Sequence, residues 1–380
     1  MAKVLAGNEP KLRRESTLQS NVLTDRKKKE TRAAWLLSLP AVLLILLFSI
    51  VPIFLALTLG FTDARLVSPE PAKSVGFSNF KTILGVGVLT LKAERNGDGA
   101  VIIDDKNNVV YESLRKYTRI SSDTPKFRSK SELFRFGENR KEGTIKVVLA
   151  GDPLFWKSLK NTLFFALIVV PVQGGLGLIL ALLVNQKLRG RNFFRTVYFI
   201  PALTSMVVVS MLWTFIYQKN GLLNTIIKQV MPGFESFAWL ENPKTTMPAI
   251  IVLSIWQAVG FHMIIWLGGL QTIPAELYEA ATVDGAGFRK QFRYVTIPGL
   301  RHTFVFVLVS ITIAALGLFT QIAIITQGGP LDSTTTLVYQ VVLNGYAKQQ
   351  IGYASAFSFV FFALVLIISL IQRSATKRLD

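Results

Sequence analysis

The stretch Glu276-Leu277-Tyr278-Glu279-Ala280-Ala281-Thr282-Val283-Asp284-Gly285-Ala286-Gly287 lies between two apolar runs, and a basic segment leads from it to Val295-Thr296-Ile297-Pro298. Pro274, two residues upstream, predicts the start of a short helix, since proline fits a first turn but cannot continue a helix from behind. Glu276 and Glu279 fall in the first turns, where the helix dipole favours acids. Ala280 and Ala281 make a narrow face, and Gly285 and Gly287 let the backbone turn away after about three turns. A short helix with a small-residue face is shaped to enter a partner's groove. The residues by themselves equally allow an ordinary linker.

Outward from this stretch the chain reads as membrane protein. Of 380 residues, 51% are apolar and 17% charged, too apolar for an ordinary soluble domain. There is no cysteine, so disulfide frameworks, thiol catalysis and thiolate metal sites are excluded. The formal charge of +19 suggests nucleic acid only until it is located. The basic residues gather at span ends and in one long loop, without any nucleic-acid-binding motif.

Six apolar runs are long enough to cross a bilayer, at 35–59, 162–184, 197–217, 247–270, 303–325 and 353–371. Residues 1–34 carry nine Lys/Arg against four acids and are expected to be a cytoplasmic tail rather than a signal peptide. The loop with Lys187, Arg189, Arg191 and Arg195 and the loop with Arg289, Lys290, Arg293 and Arg301 are expected inside. So is the tail at 373–380, with Arg373, Lys377 and Arg378. The loops at 218–246 and 326–350 hold few basic residues and are expected outside. Both termini and the loop at 276–298 then face the cytoplasm.

The long stretch 61–157 holds 17 basic and 12 acidic residues, with short alternating pieces at 88–93, 101–103, 109–111 and 144–149. Asn96-Gly97-Asp98-Gly99 and Asp105-Lys106-Asn107-Asn108 are turn material between them. A small β-rich domain inserted outside the membrane is expected, and a disordered loop is the alternative. Its charge does not disturb the topology, because long loops translocate largely regardless of charge.

The pattern Glu279-Ala280-Ala281, three residues, Gly285, nine residues, Val295, one residue, Ile297-Pro298 resembles the EAA loop of importer-type ABC permeases. Valine and isoleucine stand where isoleucine and leucine are more usual. Asn192-Phe193-Phe194-Arg195-Thr196, Phe199-Ile200-Pro201, Trp213, Gly221-Leu222-Leu223-Asn224, Thr326-Gln327-Gly328-Gly329-Pro330 and Gly352-Tyr353-Ala354-Ser355-Ala356 are similar to the carbohydrate-importer branch. An external domain after the first span is similar to the maltose-permease group. The resemblance implies an all-α polytopic protein with the six spans of the type I ABC importer fold, placed in a bacterial inner membrane. It implies that Glu279, Ala280, Ala281, Asp284, Gly285, Val295, Ile297 and Pro298 form a coupling helix and its exit, docked on a cytoplasmic ATPase. It also implies a second permease, an ATPase dimer that binds ATP and Mg, an external solute-binding protein and a sugar-like substrate. No cofactor is implied in this chain itself.

The residues bear on mechanism independently. No Asp, Glu, Lys or Arg lies within the six spans, where ion-coupled transport normally places them, so the energy is expected from elsewhere. No G-x-x-x-x-G-K-[ST] stretch is present. The only histidines are His262 and His302, which with no intramembrane carboxylate make neither a metal site nor a proton relay. Gln257, His262, Ser310, Thr312, Thr320 and Gln321 are the candidates for a neutral substrate path, although such residues also serve as packing and helix–helix bonds. Maltose-type permeases carry polar residues on span five where this chain has Ile311, Ala315 and Leu318. A membrane enzyme acting on a glycosidic or lipid-linked substrate would need clustered carboxylates or histidines at a membrane face. A scaffold that only recruits an ATPase is a third reading. In this cysteine-free chain the topology is directly testable: a cysteine at position 23 or 288 is expected to resist an impermeant thiol reagent in intact spheroplasts, and labelling from outside would overturn it.

Overall fold

The computed structural model describes residues 30–105, 108–119, 124–139, 142–186 and 189–377. The basic tail up to residue 29, Lys106, Asn107, Ser121, Lys187 and Arg378 lie outside these. The chain divides into two units, Met1–Thr58 and Leu59–Asp380.

The first unit contains most of helix α1 (Glu30–Leu59). At 1.5 Å per residue its 30 residues extend about 45 Å, more than the hydrocarbon layer requires. Its leucines and phenylalanines from Leu36 to Leu55 are exposed. A π turn at Leu46–Ile50 stands just ahead of Pro52, whose ring would otherwise crowd the carbonyl four residues back.

In the second unit, helix α2 (Ser78–Leu84) leads into a three-stranded antiparallel sheet of order β1-β3-β2. The strands are β1 (Val86–Lys92), β2 (Ser131–Asn139) and β3 (Thr144–Ala150). Leu89, Leu91, Ile145, Val147 and Leu149 alternate onto one face and are covered by Tyr111, Leu114, Tyr117 and Phe127. The expected pieces at 101–103 and 109–111 form only isolated bridges, Arg95 to Val101, Ile103 to Val109 and Ala93 to Tyr111. Strand β2 escaped the alternation rule because Leu133 and Phe134 are adjacent and its register shifts on both sides of Phe134–Phe136. Beside the sheet the Tyr117 hydroxyl donates to Glu112, and this hydrogen bond holds the carboxyl below its ordinary range.

Helix α3 (Pro153–Asn185) starts nine residues ahead of its apolar run, because Asp152 Oδ1 accepts from Leu154 N (2.8 Å) and Phe155 N (3.2 Å) and Pro153 fits the first turn. The third apolar run, expected as one crossing over 197–217, is instead broken. Helix α4 (Arg191–Leu203) and helix α5 (Met206–Tyr217) meet at 96°. Helix α6 (Leu222–Val230) follows on the side expected to be external. There Asn224, 1% exposed, donates to the carbonyls of Gln218, Lys219 and Phe237 and accepts from Trp239 Nε1, which explains its motif as a loop staple.

Helix α7 (Thr246–Gln271) is the central span, and its buried residues join those of α3 in the main core. After helix α8 (Ala275–Val283), helix α9 (Phe288–Gly299) bends by 67° into helix α10 (Arg301–Leu316). The fifth run thus ends early, breaks at Gly317 and resumes as a π turn at Ile322–Thr326. Helix α11 (Leu337–Val342) is capped by Thr336, whose hydroxyl also donates to Leu318 O (2.8 Å). Helix α12 (Ile351–Lys377) completes the chain.

Among the described residues four helices are long and apolar enough to cross a bilayer, and up to six crossings result if each bent pair is one span. The class is all-α and polytopic, with a small sheet inserted after the first span, as the sequence predicts. The close approaches are made by glycine. A Cβ at Gly260 would lie 1.8 Å from the carbonyl oxygen of Tyr198, so α4 and α7 cross there backbone to side. We expect Gly260→Ala to cost about 1–3 kcal/mol and to lower the melting midpoint in detergent. Gly268→Ala, at a position with nothing within 4 Å, should leave that midpoint unchanged.

Candidate functional site

Two regions carry the chemistry, and the first is α8 with its exit. Glu276 lies in its first turn, where the helix dipole favours an acid, whereas Asp284 stands at the C-cap, where it does not. Gly285 has φ +72°, the left-handed region, and nothing lies within 4 Å of a Cβ placed there. The N–H of Ala286 donates to Ala281 O (2.8 Å) and that of Gly285 to Thr282 O (3.0 Å). This is a Schellman ending, so the predicted exit turn has its physical cause in the backbone.

The exposure of α8 divides it into two sides. Glu276, Glu279 and Ala280 are exposed, and Val283 is 88% exposed. Tyr278 and Ala281 are half-buried, and the Tyr278 hydroxyl reaches Thr296 of α9. Asp284 and Gly285 are exposed at the exit. Val295 is half-buried against the main core, whereas Ile297 and Pro298 are exposed. Leu277, Phe288 and Tyr294 add to the exposed apolar surface, at 51%, 75% and 71%. Sequence reading named the alanines and the glycine but passed over these four large apolar residues. The signal was available, since Val283 and Phe288 are apolar residues flanking a glycine turn in an otherwise charged loop. An exposed apolar patch with acids beside it suits a protein groove that is itself apolar with a basic rim.

The second region is a cavity of about 190 Å³ among α3, α7 and the residues around the break after α10. It brings together four of the six predicted path residues, Gln257, His262, Thr320 and Gln321. Gln321 Nε2 donates to Ser254 Oγ (3.3 Å), and Gln257 Nε2 to Pro201 O (3.4 Å). His262, 4% exposed, has Nδ1 2.8 Å from Gln173 Nε2 and 3.0 Å from Ala258 O. Its Nε2 is buried with no protein partner among the described residues. Ser310 and Thr312 lie outside this lining. Ser310 is half-buried on α10, and Thr312 Oγ1 donates to Leu308 O (2.7 Å) and accepts from Gln372 Nε2 (2.7 Å), which ties α10 to α12.

Gln173 and Ser254 are cavity residues that the sequence reading missed. Gln173 is the only amide in its apolar run before Asn185, which was the available signal. Among the described residues no Asp, Glu, Lys or Arg lines the cavity. Ile311, Ala315 and Leu318 line its apolar side. The arrangement can offer neutral donors and acceptors to hydroxyl groups, and it holds no pair of acids for hydrolysis.

Residues 173–380 match the family described as the binding-protein-dependent transport system inner membrane component. A probable ABC transporter permease of Bacillus subtilis, YurN, is 37% identical over 61% of this chain and 80% of its own. The lactose transport system permease LacF of Rhizobium radiobacter is 34% identical over 61% of this chain and 79% of its own. A bacterial ABC transporter chain involved in alginate import shares the fold, with TM-score 0.65 and 20% identity, covering 93% of this chain and 99% of that one. It is a transport component rather than an enzyme, and the chain belongs to the family of binding-protein-dependent transport system inner membrane components, the ABC importer permeases.

Proposed function

We propose that this chain, with a second permease, forms the membrane path of an ABC importer for a neutral sugar, polyol or glycoside handed over by an external binding protein. A cytoplasmic ATPase dimer, carrying ATP and Mg, docks on α8 and drives it. The observation that carries the reading is α8 itself: a nine-residue helix with Glu279, Ala280 and Val283 on its exposed side and a glycine-locked exit. Such a helix gains little stability alone, so an exposed apolar side on it has its use in a partner.

The substrate class rests on the cavity and on the relative named for lactose. Hydroxyl-rich neutral ligands match amides and an unpartnered imidazole nitrogen, since burying those groups unbonded costs about 1–3 kcal/mol each. An ionic substrate would enter a lining with no charge to meet it. Glu279, Ala280, Asp284, Gly285, Ile297 and Pro298 are the docking side in this reading. Ala281 and Val295 support it from within. The charge alternation of the loops puts this surface and both termini on the cytoplasmic face.

Two variants test the docking. In Gly285→Val the left-handed φ costs about 1–2 kcal/mol in the exit turn, and in Glu279→Lys a contact charge is reversed. Both should reach the membrane at normal levels, yet lose uptake together with the ATPase subunit or its substrate-stimulated hydrolysis. Wild-type uptake and hydrolysis in both, in reconstituted vesicles, would refute the reading. For the path, Gln321→Leu should raise the half-saturating substrate concentration roughly two- to tenfold, the worth of one neutral hydrogen bond. Thr312→Val, outside the cavity, should leave it unchanged in the same uptake assay.

A further inference from the structure

The helix that meets the partner is fastened to the helix behind it by side chains that do not belong to the docking side. Gln291 Nε2 donates to Thr282 Oγ1 (2.9 Å) and to Ala286 O (3.0 Å), bridging α8, its exit turn and α9. The Tyr278 hydroxyl is 3.0 Å from Thr296 Oγ1, and Thr296 is 5% exposed. Thr296 ends the π turn Phe292–Thr296, which stands just ahead of Pro298 as the one in α1 does before Pro52. Beyond it Leu300 is buried at 2% in the main core, and a Cβ at Gly299 would come within 2.8 Å of the Ile273 side chain. The two ends of the loop therefore touch where it leaves the membrane.

Gly285 and Gly287 separate α8 from α9, and with no side chain at either position the turn has nothing of its own to pack one helix against the other. A push on α8 would be absorbed in that turn unless the two helices were held together. Gln291 and Tyr278 supply the hold. The first bend in line after them is the 67° junction between α9 and α10, and α10 carries Ile311 and Ala315 to the cavity wall. We infer that Tyr278 and Gln291 are positioning residues that make α8 and α9 one lever, pivoting at the α9–α10 bend, so that displacement of α8 reaches the cavity. This rests on the coupling role of α8, but it assigns a task to residues that do not face the partner.

The test uses the complex with its ATPase subunit, reconstituted in vesicles, and reads substrate taken up per ATP hydrolysed. Tyr278→Phe removes one hydroxyl, and Gln291→Leu removes both donors at similar size. In the double variant the ATPase subunit should co-purify as in the parent and hydrolysis should persist. Uptake per ATP should fall roughly fivefold, as expected for losing hydrogen bonds of ordinary strength. An unchanged ratio would overturn the inference, and loss of the ATPase subunit would do so too, by making these residues part of the dock. Misfolding is separated by a second variant, Thr282→Cys with Gln291→Cys, whose introduced thiols are the only ones in this chain, the parent complex treated with the same reagent serving as the control for thiols of the other subunits. Reduced, it should be uncoupled like the double variant, and a short bifunctional thiol reagent should restore the ratio. Inhibition on cross-linking would show that α8 must move against α9 and would refute the lever. Failure of the coupling role itself appears elsewhere, as normal docking and stimulated hydrolysis in Glu279→Lys.

Discussion

The contact at Gly260, where a Cβ would lie 1.8 Å from Tyr198 O, shows the constraint on which the helical bundle depends. Lipid tails are as apolar as leucine, so helices in a membrane gain little from hiding apolar side chains against one another. They associate by close packing and by hydrogen bonds made across the interface. Central helix α7 uses both. Gly269 meets Thr303, where an added Cβ would sit 2.2 Å from Oγ1, and Gly177 of α3 lies against His262 and Trp266. Trp266 Nε1 donates to Gly174 O (3.0 Å), and Tyr217 Oη to Ala249 O (2.8 Å). Each bond joins α7 to a neighbour and satisfies a polar group that would otherwise be left in hydrocarbon.

That same economy separates the polar residues that pack from those that line the cavity. Ser and Thr in a helix can return their hydroxyl to a carbonyl one turn back, as Ser254 does to Ile250 and Thr312 to Leu308. Thr312 also accepts from Gln372, which occupies it in holding two spans together. His262 does so only with Nδ1, 3.0 Å from Ala258 O one turn back, which leaves its other ring nitrogen over. Gln321 reaches Ser254, and the His262 Nε2 finds no protein partner among the described residues. The one with capacity left over, His262, faces a cavity whose lining includes Met206 and Gly317, beside the breaks in the third and fifth spans.

The coupling loop was legible because its rules are local. Pro274, the first-turn acid and Gly285 at positive φ specify a short helix and its ending within a dozen residues, and the resemblance to the EAA loop rests on the same positions. The bonds from Gln291 to Thr282 and from Tyr278 to Thr296 were not legible, because they span 9 and 18 residues and need the fold of α9 to bring them together.

The sequence by itself determined the six apolar runs, the expected sidedness of the loops, the small sheet inserted after the first run and the coupling motif, since hydropathy, charge bias and turn chemistry act over one element at a time. Tertiary structure alone decided that the third run turns by 96° near Pro201 and that the fifth stops at Gly317. It also decided that Phe134 and Phe136 belong to a strand with shifted register, which period-two reading cannot detect. Of the path candidates, it brought Gln257, His262, Thr320 and Gln321 around one cavity together with Gln173 and Ser254, and placed Ser310 and Thr312 outside that lining. The physical reason is common to all of these. A polar side chain in a span is classified by which helix lies opposite it, and that partner comes from another part of the chain, as when Gln173 meets His262 across 89 residues.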